Sequence, residues 1–90
     1  MSDIYRQRPN IPARNVEGVM AVITPQTSEI HRLNGVATEL WERCVDPGAT
    51  REQLIASLSD RYDVTRARLE ADVDAFLTEA TAKGLLLVSR

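Results

Sequence analysis

The sequence contains little of what catalytic and metal-binding sites are usually built from. Its 90 residues include one cysteine and one histidine, which excludes an internal disulfide and a metal site made of several thiolates. No Ser/His/Asp set is arguable around the single histidine, the glycines form no phosphate-binding loop, and no carboxylate pair has an obvious setting that would raise its pKa. We therefore expect no catalytic residues, no metal and no cofactor, and a protein that is not an enzyme.

Two further absences concern partners and location. The net charge of −2 has the wrong sign for a domain that neutralises nucleic-acid phosphates or anionic lipid. No apolar run approaches the length of a membrane span, and the N-terminal segment does not have the pattern of a signal sequence. We expect a cytoplasmic protein with neither nucleic acid nor a membrane among its partners.

The sequence does contain enough apolar residues for one core. Hydrophobic residues make up 43% and charged residues 27% of the chain, as in an ordinary globular domain. A chain of this size buries only about 60% of its unfolded surface, so its large apolar side chains should share a single core. We expect one domain over residues 13–90, preceded by an extended arm over residues 1–12, where prolines disfavour regular structure.

The first half of the chain has the pattern of short strands. Turn-forming residues at 16–18 and 24–28 bound apolar runs, and strands are predicted at 13–16, 19–23 and 29–33. The connections are too short for crossovers, so the strands should form an antiparallel meander with the third strand at its edge.

The second half has helical spacing. Asn34 is placed to cap a first helix, Thr50 and Gln53 predict a capping box for a second, and apolar spacing predicts a third over residues 65–83. Trp41 should seat the first helix on the sheet. The predicted fold class is α+β, an N-terminal three-stranded antiparallel sheet followed by three helices.

Three side chains have a simple structural interpretation. The lone histidine, His31, is most simply a half-buried strand residue. Cys44 is in register with apolar residues and is most simply a small core hydrophobe. The second helix is expected to bury Tyr62.

Charged residues near the start of the third helix allow more than one interpretation. Asp72 and Asp74 project about 200° apart on a helix, so they do not grip one metal ion together. Arg66 and Arg68 each have a carboxylate four residues further on, which predicts exposed ion pairs. Two arginines in a first turn nevertheless oppose the helix dipole, which leaves open a role in meeting acidic groups of a peptide.

Short motifs occur in a fixed order along nearly the whole chain. They are Arg8-Pro9, Leu33-Asn34, Trp41, the run 50–54, Asp72-Val73, Phe76-Leu77 and Gly84-Leu85-Leu86. From about residue 8 to residue 88, their order and spacing resemble the PqqD family. The resemblance implies a RiPP recognition element, a small winged-helix-like domain that binds the leader segment of a ribosomally made precursor peptide and presents it to a modifying enzyme.

The resemblance also implies where the peptide binds and which enzyme is the partner. The leader would add as a strand beside the third strand, in a groove bordered by the third helix. The implied peptide-binding residues are Glu29, Ile30, His31, Arg32, Leu33, Arg66, Leu69, Asp72, Val73 and Phe76. An edge strand suits this role because its unpaired backbone groups can satisfy a peptide of any sequence. The implied enzyme partner is a radical S-adenosylmethionine protein or another peptide-modifying enzyme.

The strand over residues 19–23 is apolar at every position, which a sheet with one wet face does not need. Together with Ile30 it predicts an apolar patch on the outer face of the sheet. We expect this patch to be covered by one of three candidates: the N-terminal arm, a second copy of the chain, or the partner enzyme.

Two other classes of function remain as alternatives. Helices two and three have the order of a helix-turn-helix, as in DNA-binding winged helices, although the third helix is rich in acidic residues. The outer patch also allows a structural or dimerisation subunit of a larger complex. An exposed edge strand favours pairing with a second copy, so a homodimer stays open.

Overall fold

The structure, a computed structural model, describes residues 3–24 and 27–89. Strands and helices follow in this order: β1 (Ile4–Gln7), β2 (Ala13–Val16), β3 (Val19–Thr24), β4 (Glu29–Leu33), α1 (Gly35–Arg43), β5 (Ala49–Thr50), α2 (Arg51–Ser59), α3 (Arg66–Ala82) and β6 (Leu86–Ser89). The turn predicted at 24–28 and the two ends of the chain lie partly outside the described residues.

The strands form two separate antiparallel sheets. The first has the order β2-β3-β4, and the second has the order β5-β1-β6. The predicted α+β fold, with an N-terminal meander followed by three helices, is confirmed. The second sheet was not predicted, because its strands are short and come from three distant parts of the chain.

The segment predicted as an extended arm contains the central strand of the second sheet. β1 pairs with β5 and β6, and the N–H of Gln7 also donates to the carbonyl of Cys44 at 2.8 Å. The side-chain amide of Gln7 donates to the carbonyl of Trp41 at 2.8 Å, and the N–H of Arg8 donates to the carbonyl of Leu85 at 2.9 Å. These bonds hold the described arm against α1 and β6, so it is not available to cover the outer face of the first sheet.

One core lies between the inner face of the first sheet and the three helices. Trp41 of α1 is 3% exposed, and Cys44 is fully buried among apolar side chains, as predicted. Burial raises the pKa of the Cys44 thiol to about 11, so this thiol stays protonated at neutral pH. Tyr62 was predicted to be buried by α2, but that prediction is wrong: the helix ends at Ser59 and the Tyr62 ring is partly exposed.

The helix ends follow the predicted capping chemistry. The Thr50 hydroxyl accepts from the N–H of Gln53 at 3.2 Å, and the Gln53 side chain accepts from the N–H of Thr50 at 2.9 Å. Thr65 caps α3 by accepting from the N–H of Arg68 at 3.2 Å. The four first amides of a helix have no partner inside the helix, so these side chains remove a cost that the isolated helices would carry.

We predict that Trp41→Ala lowers the free energy of unfolding by about 3–5 kcal/mol, because it removes a buried indole and leaves a cavity. Thermal and urea denaturation followed by circular dichroism measure the change. Val45→Ala, at an exposed position just after α1, is the matched control and should stay within about 0.5 kcal/mol of the parent. An unchanged midpoint for Trp41→Ala would contradict the placement of Trp41 in the core.

We predict a graded effect from alanine substitutions at three glycines. At Gly48, where φ is +99°, an added Cβ would lie 2.6 Å from the Tyr5 carbonyl oxygen of β1, so Gly48→Ala should cost about 2–5 kcal/mol from strain and overlap combined. Gly18→Ala has the strain of φ +83° but meets no described atom within 4 Å, and should cost about 1 kcal/mol. Gly35→Ala, at the start of α1, has neither problem and should be neutral or stabilising. Equal losses at all three positions would contradict the close packing of β1 on Gly48.

Candidate functional site

The hydrogen-bond direction of each β4 residue follows from the β2–β3 hairpin. Its two-residue turn, Glu17-Gly18, has positive φ at both positions, as in the tight turns that suit the twist of a hairpin. The N–H of Ile23 donates to the carbonyl of Pro12 at 2.9 Å, so the odd-numbered residues of β3 bond to the β2 side. Because bonding directions alternate along a strand, Met20 and the other even-numbered residues of β3 bond to β4.

This alternation decides which backbone groups of β4 are free of β3. Leu33 lies opposite Met20 and His31 lies opposite Val22. The N–H and C=O groups of Leu33 and His31 therefore form the hydrogen bonds to β3. Ile30 and Arg32 then direct both of their backbone groups away from β3. Since β4 is the last strand in the described sheet, these groups form its open edge.

A groove of about 790 Å³ lies between this edge and α3. Its floor is apolar and includes the buried side chains Leu40, Phe76 and Leu85. The α3 rim carries charged side chains of both signs: Arg68, Asp72, Glu79 and Lys83. The Tyr62 ring closes part of the wall. An apolar floor with a charged rim suits an extended peptide that is apolar on one side.

The end of β4 is fixed by the start of α1. The Asn34 side chain accepts from the N–H of Ala37 at 3.1 Å and caps the helix, as predicted. The Thr38 hydroxyl donates to the carbonyl of Leu33 at 2.8 Å. The Thr24 hydroxyl and His31 Nε2 lie 2.9 Å apart across β3 and β4. These contacts hold the register of the edge, so a strand added there would meet a preset pattern of donors and acceptors.

The residues proposed from the sequence fall into four structural settings. Those that line the groove are Ile30, His31, Arg32, Leu33, Asp72 and Phe76. Glu29 is at the far end of β4 and is exposed, outside the groove lining. Leu69 and Val73 are buried in the core, where they pack α3 against the rest of the domain.

Arg66 belongs to an ion-pair network on another side of α3. Its guanidinium contacts Glu52 and Glu70, each at 3.0 Å, and Arg51 binds Asp74 at 2.6 Å. The bond from Arg51 lowers the pKa of the Asp74 carboxyl. The network joins the start of α2 to α3, and each of its exposed pairs contributes little to stability alone because solvent screens it.

Sequence reasoning missed several groove residues that a helical projection would have found. Arg66 and Arg68 are two positions apart and project about 200° apart, so only one of them can face β4. Arg68 faces the groove and also pairs with Asp72 at 3.4 Å. Positions 68, 72, 75, 79 and 83 form one stripe at helical spacing, and this stripe is the groove side of α3.

Across 3–24 and 27–89, no three His, Cys, Asp or Glu side chains are grouped so that they could hold a metal ion. None of the described helices combines the length and the apolar character needed to cross a bilayer.

Three solved structures share this architecture. One is described as TbiB1 in complex with the TbiA(beta) leader peptide; its TM-score is 0.80 and its identity 21%, over 90% of this chain and 93% of that one. A second is lasso peptide synthetase B1 complexed with the leader peptide, with a TM-score of 0.79 and 25% identity over 92% and 96% of the two chains.

The third is the PqqD truncation of Methylobacterium extorquens PqqCD, described as a functional, stand-alone RiPP recognition element. Its TM-score is 0.74 at 23% identity, and the match covers 93% of this chain and 88% of that one. No curated protein sequence matches the chain. The family model described as coenzyme PQQ synthesis protein D (PqqD) matches residues 20–86, which include β4, the three helices and the groove between them. The chain therefore belongs to the PqqD family.

Proposed function

We propose that this chain is a non-enzymatic recognition module that captures the leader segment of a ribosomally made precursor peptide and presents it to a modifying enzyme. The observation that carries the proposal is the open edge of β4, where Ile30 and Arg32 direct their backbone groups toward an apolar groove. A leader that adds as a strand at this edge would satisfy those groups and place every second side chain against α3.

The magnitudes indicate that the edge and the groove act together. Four backbone hydrogen bonds at about 0.5–1.5 kcal/mol each contribute about 2–6 kcal/mol. Micromolar affinity needs about 8 kcal/mol, and ordering the peptide costs more. Apolar contacts with the floor of the groove must supply the difference. The backbone bonds would set position and direction, whereas the floor would select leaders with apolar side chains at alternating positions.

The family and three similar structures support this function. TbiB1 and lasso peptide synthetase B1 are each described in complex with a leader peptide, and the PqqD domain of Methylobacterium extorquens is described as a RiPP recognition element. For this chain, the proposed partners are a precursor peptide and a peptide-modifying enzyme in the cytoplasm, with a radical S-adenosylmethionine protein as the form that the family resemblance favours.

The recognition residues proposed at the groove are Ile30 to Leu33 together with Asp72, Phe76 and, from the structure, Arg68. Glu29, Arg66, Leu69 and Val73 are proposed to support this surface from outside the groove.

We predict that leader peptides shift the amide resonances of a defined set of residues. Synthetic peptides that match the N-terminal halves of small open reading frames beside this gene would be titrated into the labelled domain. The expected shifts are centred on 30–33 and on the groove side of α3, at Asp72 and Phe76. Random duplex DNA is the control, because helices α2 and α3 have the order of a helix-turn-helix.

Shifts with DNA alone, fading with salt, would favour the DNA-binding alternative. An absence of shifts with every neighbouring peptide would contradict leader capture.

We predict that Ile30→Pro weakens leader binding about 5- to 150-fold, because it removes an edge donor and leaves a peptide carbonyl unpaired at a cost of about 1–3 kcal/mol. The Ile30 N–H points away from β3, so proline there should spare the sheet itself. Ile30→Ala keeps the N–H and is the matched control for loss of the exposed side chain. Calorimetric titration measures affinity, and a thermal melt checks the fold.

His31→Pro supplies the opposite comparison. The His31 N–H belongs to the β3 ladder, so this substitution should destabilise the domain itself. Equal leader affinity for Ile30→Pro and the parent would count against strand addition at β4.

A further inference from the structure

The outer face of the first sheet is the surface opposite the helices. Val16 lies opposite Val19, Ile23 lies opposite Ile30, and Arg14 and Arg32 flank Ala21 in the row between these two pairs. Directly opposed residues of antiparallel strands project to the same side. Met20 and Val22, which alternate with the outer residues, are buried in the core. The outer face therefore has apolar pairs at both ends and a basic row in the middle.

Its apolar residues are well exposed. Ile30 is 64% exposed, Val16 52%, Val19 41% and Ile23 36%. Single exposed apolar side chains are common on protein surfaces, whereas a contiguous group bordered by charge marks a surface that binds something. β1, which lies in the N-terminal arm, is held in the second sheet, and Ile11 of the same arm packs against the core, so neither covers this face.

The basic row favours a negatively charged partner on the outer face. Within the described residues, the guanidinium groups of Arg14 and Arg32 form neither an ion pair nor a side-chain hydrogen bond, unlike Arg51 and Arg66 on the helices. Exposed guanidinium groups beside apolar side chains favour a partner whose carboxylates lie within an apolar surface.

The same row disfavours a second copy of this chain as the occupant. A symmetric dimer built on the outer face would bring Arg14 and Arg32 of one copy near those of the other, because a two-fold interface uses the same patch twice. Like charges brought together in a partly desolvated contact repel each other.

We infer that the outer face is the docking surface for the peptide-modifying enzyme, which would present an apolar surface containing carboxylates. This inference rests on the proposed function, since that function supplies an enzyme to which the leader is presented. The enzyme and the leader can bind together. Val16, Val19 and Ile23 project from the outer side of the sheet, whereas the groove opens between the β4 edge and α3.

The test measures the affinity of the purified peptide-modifying enzyme encoded beside this gene for variants of the full chain. Arg14→Glu and Ile23→Thr change the outer face and leave the groove lining intact. Each should weaken enzyme binding at least about tenfold, and the parent affinity should fall as salt is raised. Arg43→Glu is the matched charge control on α1, and Val88→Thr is the matched apolar control on β6. Both controls should bind the enzyme as the parent does.

Leader affinity is measured for every variant in the same series. Unchanged leader binding by Arg14→Glu and Ile23→Thr, together with weakened enzyme binding, supports the inference. Failure of the parent to bind any neighbouring leader peptide would refute the proposed function, while the enzyme measurement remains interpretable.

Any one of three results would overturn the inference. The first is that the parent fails to bind the enzyme, and the second is that the outer-face variants bind it as well as the controls do. The third is a dimer in sedimentation that Ile23→Thr dissociates. The last result would assign the face to a second copy of the chain.

Discussion

The alternation of backbone hydrogen bonds in an antiparallel sheet is the constraint on which the candidate site depends. The tight turn at Glu17-Gly18 and the bond from Ile23 to Pro12 set the bonding direction of every residue of β3. β3 in turn sets the direction of β4. A shift of one residue would exchange the groups on the ladder with those on the edge, and would also turn the outer apolar residues toward the core. The binding edge and the core are therefore specified by the same register.

The second sheet joins distant parts of this small domain. A disulfide within the chain cannot do so, because the protein has a single cysteine. β1 brings the start of the chain between β5, just before α2, and β6, which follows α3. Gly48 permits this arrangement because the β1 backbone passes where a side chain at residue 48 would lie. Hydrogen bonds from Gln7 then tie the same strand to α1. Residues far apart in sequence are thus joined around one core.

Much of the fold could be predicted from the sequence, because the relevant signals are local. Strand alternation, the Thr50 capping box and the apolar spacing of α3 each lie within a few residues, and the structure has all of them. The second sheet could not be found this way, since β5 has two residues and its pairing with β1 is a long-range event. Tyr62 was misplaced because the pattern of α2 does not show that the helix ends at Ser59.

The groove was predictable only in part. The β4 side follows from the edge position of one strand, whereas the α3 side depends on how that helix is rotated about its axis. Leu69 and Val73 fit a groove or a core equally well by spacing, and the structure places them in the core. The rotation is set by the packing of α3 into the core, which is a matter of tertiary contacts.

Ile30 and Arg32 take part in two surfaces at once, because their backbone groups form the edge and their side chains belong to the outer face. A strand added at that edge would place its own alternate side chains beside them, so the outer face would become one strand wider. Two ligands that meet at shared residues are thermodynamically linked, and each changes the affinity of the other by the same factor. A domain of this geometry can therefore favour an enzyme that arrives when the peptide is already in place, without any change in its own fold.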